Sequence, residues 1–373
     1  MNPETLFCLN PACPAKGQVG EGNISVHSEQ EGRCRCNVCG DTFSCRKGTI
    51  FYRLRTNPEV VILILTLLAY GCPTQAAAKA FGFDERTIKN WWQRAGEHCE
   101  SFHQYTVGQS QLDLEQVQAD EIKAKAQGIS YWMAMAIMVP TRLWLGGVIS
   151  SKRDKALIQQ LGEQIRAIAL CRPLLLAVDG LASYVSVFQA VFRSPLPRFG
   201  QLGRPKLVAW PNIAIVQVVK QRVAGTLHID RRVVQGAAAM IDRLLLQSQG
   251  RKGVINTAYI ERLNATFRQR LHWLSRRSRS LAQQAETLTA GMFIVGTLYN
   301  FCDVHQSLRC KLWITERRYR WVQRTPAMAA QLTDHQWSVS ELFWFRVPPP
   351  RWVPPVRRGR PSHELRTLIE RWA

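Results

Sequence analysis

Between residues 117 and 180 the sequence leaves few choices of fold. VQADEI (117–122), YWMAMAIMV (131–139) and LWLGGVI (143–149) read as three strands joined by short polar turns. KALIQQLGEQIRAIA (155–169) then has helical period, and PLLLAVDG (173–180) reads as a buried strand that ends in an acid. ASYVSVFQAVF (182–192) is helical in pattern, SPLPRFGQLGRPK (194–206) is broken by Pro and Gly, and IAIVQVVKQRV (213–223) is another strand. Two helical segments around 237–248 and 257–273 follow, and a helix over 281–300 closes the block.

Three meandering strands, a helix, a strand, a helix and a strand match the ribonuclease-H-like order. The expected fold class is therefore α/β, with a ribonuclease-H-like mixed-sheet core over 111–310. At 373 residues the chain has room for further domains, each with its own core.

One such domain lies at 1–52, where six of the eleven cysteines crowd into the first 45 residues. An odd cysteine count without an apolar leader argues against a disulfide framework. Cys8-x4-Cys13 and Cys36-x2-Cys39, the second followed by Gly40, supply four soft ligands on two turns, which is what a tetrahedral structural Zn2+ requires. Cys34 and Cys45 are substitute ligands, and reduced, packed cysteines are the plainer alternative. This block is read as a zinc ribbon.

Residues 57–105 are helical in pattern. EVVILILTLLAYG ends at Gly71 with Pro73 just beyond, TQAAAKAF is closed by Gly82, and Asp84 caps ERTIKNWWQRAGEH with Ile88, Trp91 and Trp92 inward. Helix, Gly-containing turn, helix is the helix-turn-helix arrangement, whose outer face would offer Arg86, Lys89, Asn90 and Arg94 to phosphates and base edges. A plain bundle with solvated charges is the alternative. The remaining 311–373 is basic and Pro-rich, and its VPPPRWVPPVRRGRPSHE implies an extended segment. Within it Arg358 and Arg360 flank a Gly in the manner of a minor-groove arm.

Charge supports a polyanionic partner. Lys and Arg number 49 against 27 Asp and Glu, a net charge of +22. The longest apolar run, VVILILTLLAYG (60–71), is shorter than the roughly 20 residues a bilayer helix needs. Double-stranded DNA is thus expected in preference to a membrane.

Against that field the window 251–280 is instructive: eight Lys or Arg and a single acid, Glu261. A surface ion pair with Arg262 or Arg268 is one account. The other joins it to Asp120, in the middle of the first strand, and Asp179, at the exit of a buried strand where α/β sheets open their sites. Three carboxylates from separate elements can hold two divalent ions of the Mg2+ or Mn2+ kind for phosphodiester chemistry. Asn264 and Arg268 share a helix face with Glu261. Glu121 adjoins Asp120, and a register slip of one residue would exchange them.

The chain resembles bacterial insertion-sequence transposases of the DDE type, closest to the insertion-sequence-one family and its zinc-ribbon relatives. The resemblance rests on the Cys pairs followed by GDTFSCRKGTIFYRLR (40–55), the helix-turn-helix, ADE (119–121), VDG (178–180), NTAYIERLNATFRQRL (256–271), SRSL (278–281), LYNFCDVHQSLR (298–309) and RTPAMAAQLTD (324–334). It implies Asp120, Asp179 and Glu261 as a catalytic, metal-binding triad, with Arg268 as the basic residue beyond it, and it places Asn300 and His305 in a motif. It further implies strand cleavage at the ends of the element and strand transfer into target DNA. A homo-oligomeric synaptic complex in the bacterial cytoplasm, at the nucleoid, goes with that activity. A DNA-binding relic with a dead core is the alternative.

Overall fold

The computed structural model describes residues 2–125, 129–196, 203–223, 225–274, 284–353 and 362–372. In chain order, strands β1 (Ile24–Ser28), β2 (Arg33–Cys36) and β3 (Thr42–Ser44) precede helices α1 (Pro58–Ala69), α2 (Thr74–Phe81) and α3 (Glu85–His103). Then come β4 (Gln116–Lys125), β5 (Ser130–Met138), β6 (Trp144–Ser150), α4 (Lys155–Ile168), β7 (Leu174–Val178) and α5 (Ala182–Val191). A small hairpin, β8 (Arg193–Pro195) with β9 (Leu207–Ala209), leads to β10 (Ile213–Val223), β11 (Thr226–Gln235), α6 (Ala238–Gln249), α7 (Ala258–Arg270) and α8 (Ala285–Phe301). β12 (Cys310–Thr315), β13 (Arg318–Val322), α9 (Pro326–Ala329), α10 (Val339–Trp344) and α11 (His363–Trp372) complete the described elements. The chain divides into two compact units, Met1–Val60 with Ser340–Ala373, and Val61–Val339.

The larger unit is built on one mixed six-stranded sheet, in the order β11-β10-β7-β4-β5-β6. β4, β5 and β6 form an antiparallel meander, β7 is parallel to β4, β10 is parallel to β7, and β11 returns antiparallel. Short turns permit the meander, whereas the helical connection through α4 carries the chain across to a parallel neighbour. The five residues of β7 are all buried, as expected of a strand with neighbours on both edges and layers on both faces.

On β4 the alternate residues Gln116, Gln118 and Asp120 make polar contacts with the helices over one face. Gln116 accepts from Ser248 Oγ of α6 at 2.6 Å; Gln118 accepts the backbone N–H groups of Tyr259 and Ile260 at the start of α7, both at 3.0 Å. Two orphan donors of a helix terminus are thereby satisfied from the sheet. α7 is fastened further by buried Ile260, Leu263 and Phe267, each contributing about 2 kcal/mol on removal from water.

α8 is apolar on every side and buried from Ala290 to Phe301, the pattern of a core helix rather than a surface one. α3 lies against it so closely that a Cβ at Gly96 would fall 2.3 Å from the Ala290 Cβ. Asn300, fully buried, accepts from the Trp144 backbone N–H and donates to the Trp144 carbonyl, both at 2.8 Å, and so completes backbone bonding at the start of β6.

The smaller unit carries a three-stranded antiparallel sheet, β1-β2-β3, over a core of Leu6, Ala15, Ile24, Phe43 and buried cysteines. Phe51 packs on Trp344 with ring centroids 4.4 Å apart, and Arg346 donates to the Cys45 carbonyl, so α10 belongs to this unit.

Several elements were not expected from sequence. β11 is exposed along nearly its whole length, and only Leu227 and Ile229 alternate with polar residues in it. β13 (RYRWV) alternates cations with aromatics, β12 (CKLWIT) carries one of each, and both are almost wholly exposed. Residues 347–353 form neither helix nor strand, and α11 follows the proline run. Arg358 and Arg360 lie outside the described residues, as does SRSL. Among the described residues, no helix is long and apolar enough to cross a membrane.

Candidate metal centres

The parallel register pairs Gln118 of β4 with Ala177 of β7. Two residues further along each strand stand Asp120 and Asp179, so the two acids are level at the carboxyl end of β7. Asp120, Glu121 and Asp179 each bring a carboxylate oxygen within 4.8 Å of the other two. β7 stops at Val178, and Asp179 turns the chain by accepting from the Leu181 backbone N–H at 2.9 Å, which opens α5. Its own carbonyl accepts from Gln217 of β10 at 3.2 Å.

The helix α7 supplies the other side. Asn264, buried, donates through Nδ2 to Asp120 Oδ2 at 2.7 Å. Glu261, one turn earlier, is exposed; it is hydrogen-bonded by Thr257 Oγ1 at 2.5 Å and paired with Lys220 of β10. It is thus an ion pair, but with Lys220 rather than with Arg262 or Arg268. Its charge nevertheless reaches Asp120, and so does that of the half-buried Arg268.

Adjacent Asp120 and Glu121 both lie in the acidic group. Asp120 bonds to α7, whereas Glu121 accepts from Arg153 at 3.2 Å, and Arg153 also reaches Asp179 at 3.3 Å. Arg153 stands just before α4 with its guanidinium 5.0 Å from the centre of the Trp132 ring. Sequence inspection passed over Arg153, Lys220 and Thr257. Their only signal was polarity, and their partners lie 26 to 41 residues away except for Thr257, which sits four residues before Glu261.

Burial pushes the Asp120 carboxyl up to about 6, with the neighbouring Asp179 and Glu261 charges adding to the rise. Burial likewise pushes Glu121 up to about 7 in spite of Arg153. Low dielectric and like charges both disfavour the ionised form. Glu121 Oε1 and Asn264 Oδ1 are buried acceptors without a hydrogen-bond partner, and the Tyr184 hydroxyl, raised by burial and by the same three acids, is a third unpartnered group. Close carboxylates with unfilled acceptor capacity are a set that a hard divalent cation satisfies. The group could hold a divalent ion.

The second centre lies in the smaller unit. Cys8, Cys13, Cys36 and Cys39 bring their four sulfurs within 4.8 Å of one another. Cys8 Sγ is 3.7 Å from Cys39 Sγ, and Cys13 Sγ is 3.9 Å from Cys36 Sγ. A tetrahedron of Zn–S bonds of about 2.3 Å has S···S edges of about 3.8 Å, so the quartet could bind a metal such as zinc. The Cys36–Cys39 knuckle closes through the Gly40 N–H on the Cys36 carbonyl at 2.9 Å, with Gly40 at φ +76°, a conformation that favours glycine. Burial raises the Cys13 thiol to about 11; at Cys36 burial is outweighed by the Cys39 and Val38 backbone N–H groups, and the thiol is drawn down. Cys34 and Cys45 are not in the quartet: Cys34 packs in the core, and Cys45 lies against it.

In the helical segment, α2 ends on left-handed Gly82 and Asp84 caps α3 through the Arg86 N–H at 2.7 Å. Ile88, Trp91 and Trp92 are buried, while Arg86, Lys89 and Asn90 are exposed and Arg94 is half-buried. Lys89 and Asn90 line a cavity of about 750 Å³ together with Arg270 and His272. Of the two motif residues, Asn300 clamps the start of β6, and the His305 ring packs edge-on against Tyr299 at 4.6 Å. No family model matches the chain, and no curated protein sequence matches it.

Proposed function

We propose that this chain is a DNA transposase of the DDE type, which cuts the ends of its own element and joins them to target DNA. The observation that carries the reading is the level placement of Asp120 and Asp179 on parallel neighbours, with Asn264 of α7 bonded to Asp120 and the Glu261 charge acting on it. The strand order, a three-stranded meander extended by two parallel strands, supports a ribonuclease-H-like core. The net charge of +22 and the exposed Arg86, Lys89 and Asn90 support duplex DNA as the partner.

Asp120, Asp179 and Glu261 would hold Mg2+ or Mn2+, with Glu121 beside them; the orphaned Glu121 Oε1 and Asn264 Oδ1 suit that role. When bound, the ions would lower the pKa of water and offset charge on a phosphodiester. The chain's own residues do the remaining work. Asn264 fixes the Asp120 carboxylate through one oxygen and leaves the other oriented to the cluster. Asp179 is held by the Leu181 N–H, so its direction is set by backbone. Arg153 and Lys220 neutralise Glu121, Asp179 and Glu261, and must yield these carboxylates when a cation enters. Arg268, seven residues beyond Glu261 on the same helix, would contact a DNA phosphate. Zn2+ in the Cys quartet would be structural. Joining two ends calls for two active sites, hence a homo-oligomeric synaptic complex at the bacterial nucleoid.

The test is a mobility assay in bacterial cells, with a marked copy flanked by its native ends and compared with Glu261→Gln and Asp179→Asn at matched expression. Insertions bordered by short target duplications are expected from the unmutated copy alone. Unchanged strand transfer by a folded, DNA-bound Glu261→Gln protein overturns the reading. One observation favours a second reading: Arg153 and Lys220 already neutralise the acids, as in a DNA-binding relic. Binding to its own flanks, without cleavage under any divalent metal, would select that reading.

A further inference from the structure

β12 and β13 form a two-stranded ribbon, with no third strand on either edge among the described residues. Register places Lys311 opposite Trp321 and Trp313 opposite Tyr319, so these four side chains share one face. Apolar residues on a solvent face call for an account when they are large and contiguous. Here Trp313 is 57% exposed, Trp321 44% and Tyr319 41%. The rings form a continuous cluster: Trp313 and Tyr319 centroids are 5.0 Å apart, Tyr319 and Trp321 6.0 Å, both edge-to-face.

Cations are interleaved with the rings. Lys311 Nζ lies 4.3 Å from the Tyr319 centroid, and the Arg309 guanidinium lies 4.3 Å from that of Trp321. From 309 to 324 there are six Lys or Arg (Arg309, Lys311, Arg317, Arg318, Arg320, Arg324) and one acid, Glu316. A buried protein interface depletes Lys and clusters its apolar residues without so much like charge. A lipid surface would be met by an amphipathic helix rather than by edge-to-face rings. Aromatic faces alternating with cations on an extended ribbon match a strand of unpaired nucleotides, which presents planar bases and phosphates in alternation.

We infer that the β12–β13 ribbon is a stacking platform for single-stranded DNA, with Trp313, Tyr319 and Trp321 taking bases and Lys311 and Arg309 taking phosphates. The inference rests on the reading of the chain as a DNA-binding protein, but needs no cleavage. Strand transfer exposes unpaired bases at a DNA end, and a platform of this kind would hold them.

Fluorescence anisotropy with the full-length protein tests it, using labelled oligothymidylate, a duplex of equal length and oligouridylate, each with a salt series. Removing both rings in Trp313→Ala/Tyr319→Ala is expected to weaken oligothymidylate binding by at least about tenfold and to leave duplex binding within about twofold. Trp313→Phe/Tyr319→Phe, which keeps the rings, is expected to retain binding and so guards against simple loss of the hairpin. Equal weakening for duplex and single strand overturns the inference, since that is the mark of a charge contact. Tighter binding of oligouridylate than of oligothymidylate also overturns it, in favour of RNA. Unchanged binding together with a loss of self-association by light scattering overturns it in favour of a second copy of the chain. Retained stacking in a chain whose Glu261→Gln variant transposes normally leaves the ribbon intact and removes only the reading of the acids. Failure of the wild type to bind any DNA removes both.

Discussion

The two candidate metal centres differ in how they are built. The cysteine quartet spans 32 residues, Cys8 to Cys39, and its ligands sit on two tight turns. The acidic centre draws on β4 and the end of β7, so its three carboxylates run from Asp120 to Asp179, with Asn264 of α7 bonded to the first. The first is closed, four thiols with no open position, and its unit has only a small apolar core around it. The second is open, offers oxygen ligands, and is partly neutralised by Arg153 and Lys220. A closed soft site stabilises a fold that burial alone would leave marginal. An open hard site stores electrostatic strain in a fold that a six-stranded sheet and α8 already stabilise.

Five experiments sharpen or break that contrast. The largest effect is expected from Cys36→Ser, which should abolish binding of one zinc per chain and unfold the smaller unit; structural zinc contributes about 10 kcal/mol or more. Metal analysis with proteolysis checks this. A folded, protease-resistant smaller unit without zinc would make the quartet a set of packed thiols. Asp179→Asn should act oppositely, costing at least about a hundredfold in strand transfer, since an electrostatic group at a reacting centre contributes on that scale, with little change in thermal stability. Comparable losses of stability and activity would remove the distinction between the centres.

Next comes Glu121→Gln, whose effect depends on pH. A buried carboxyl raised to about 7 costs the folded state nothing at low pH, where it is protonated both folded and unfolded. The cost grows as pH rises through the unfolded value and is complete above about 7. The stability of Glu121→Gln relative to wild type should therefore increase between pH 4 and 8, by up to about 3 kcal/mol. Denaturant titrations at several pH values measure it, and a pH-independent difference contradicts it. In the same window Mg2+ should raise the melting temperature of the wild type more at pH 8 than at pH 5, because protons compete for the same oxygens. The smallest effect is expected from Asn264→Ala, about 1 to 2 kcal/mol from the lost bond to Asp120. It should change the Mg2+ dependence of stability, whereas a merely structural Asn would not.

Legibility in the sequence followed the range of the interactions. The meander, α4 and β7 were readable because burial imposes a period within each segment. The cysteines were readable because their spacing is local. β11 and the β12–β13 ribbon were not, because their alternations are short (Leu227 with Ile229, Tyr319 with Trp321) and exposed, with no buried face to set a longer period. Arg153 and Lys220 carried no signal, since a lone cation on a loop or a strand is ordinary until the fold names its partner. For Glu261 the ion-pair account is the one the contacts show, with Lys220 as the partner; its charge acts on Asp120, but the close carboxylate group is Asp120, Glu121 and Asp179.

By itself the sequence determined the α/β class, the strand–helix order from β4 to α5 with β10 beyond, the cysteine pairs and the cationic character of the chain, because period, spacing and charge are properties of short windows. Only the tertiary structure decided that Glu121 joins Asp120 and Asp179, that Arg153 bridges two of them, and that Trp313, Tyr319 and Trp321 share an exposed face. Those facts depend on strand register and on which loops a sheet brings together, and register is settled by packing across the whole sheet rather than by any one segment.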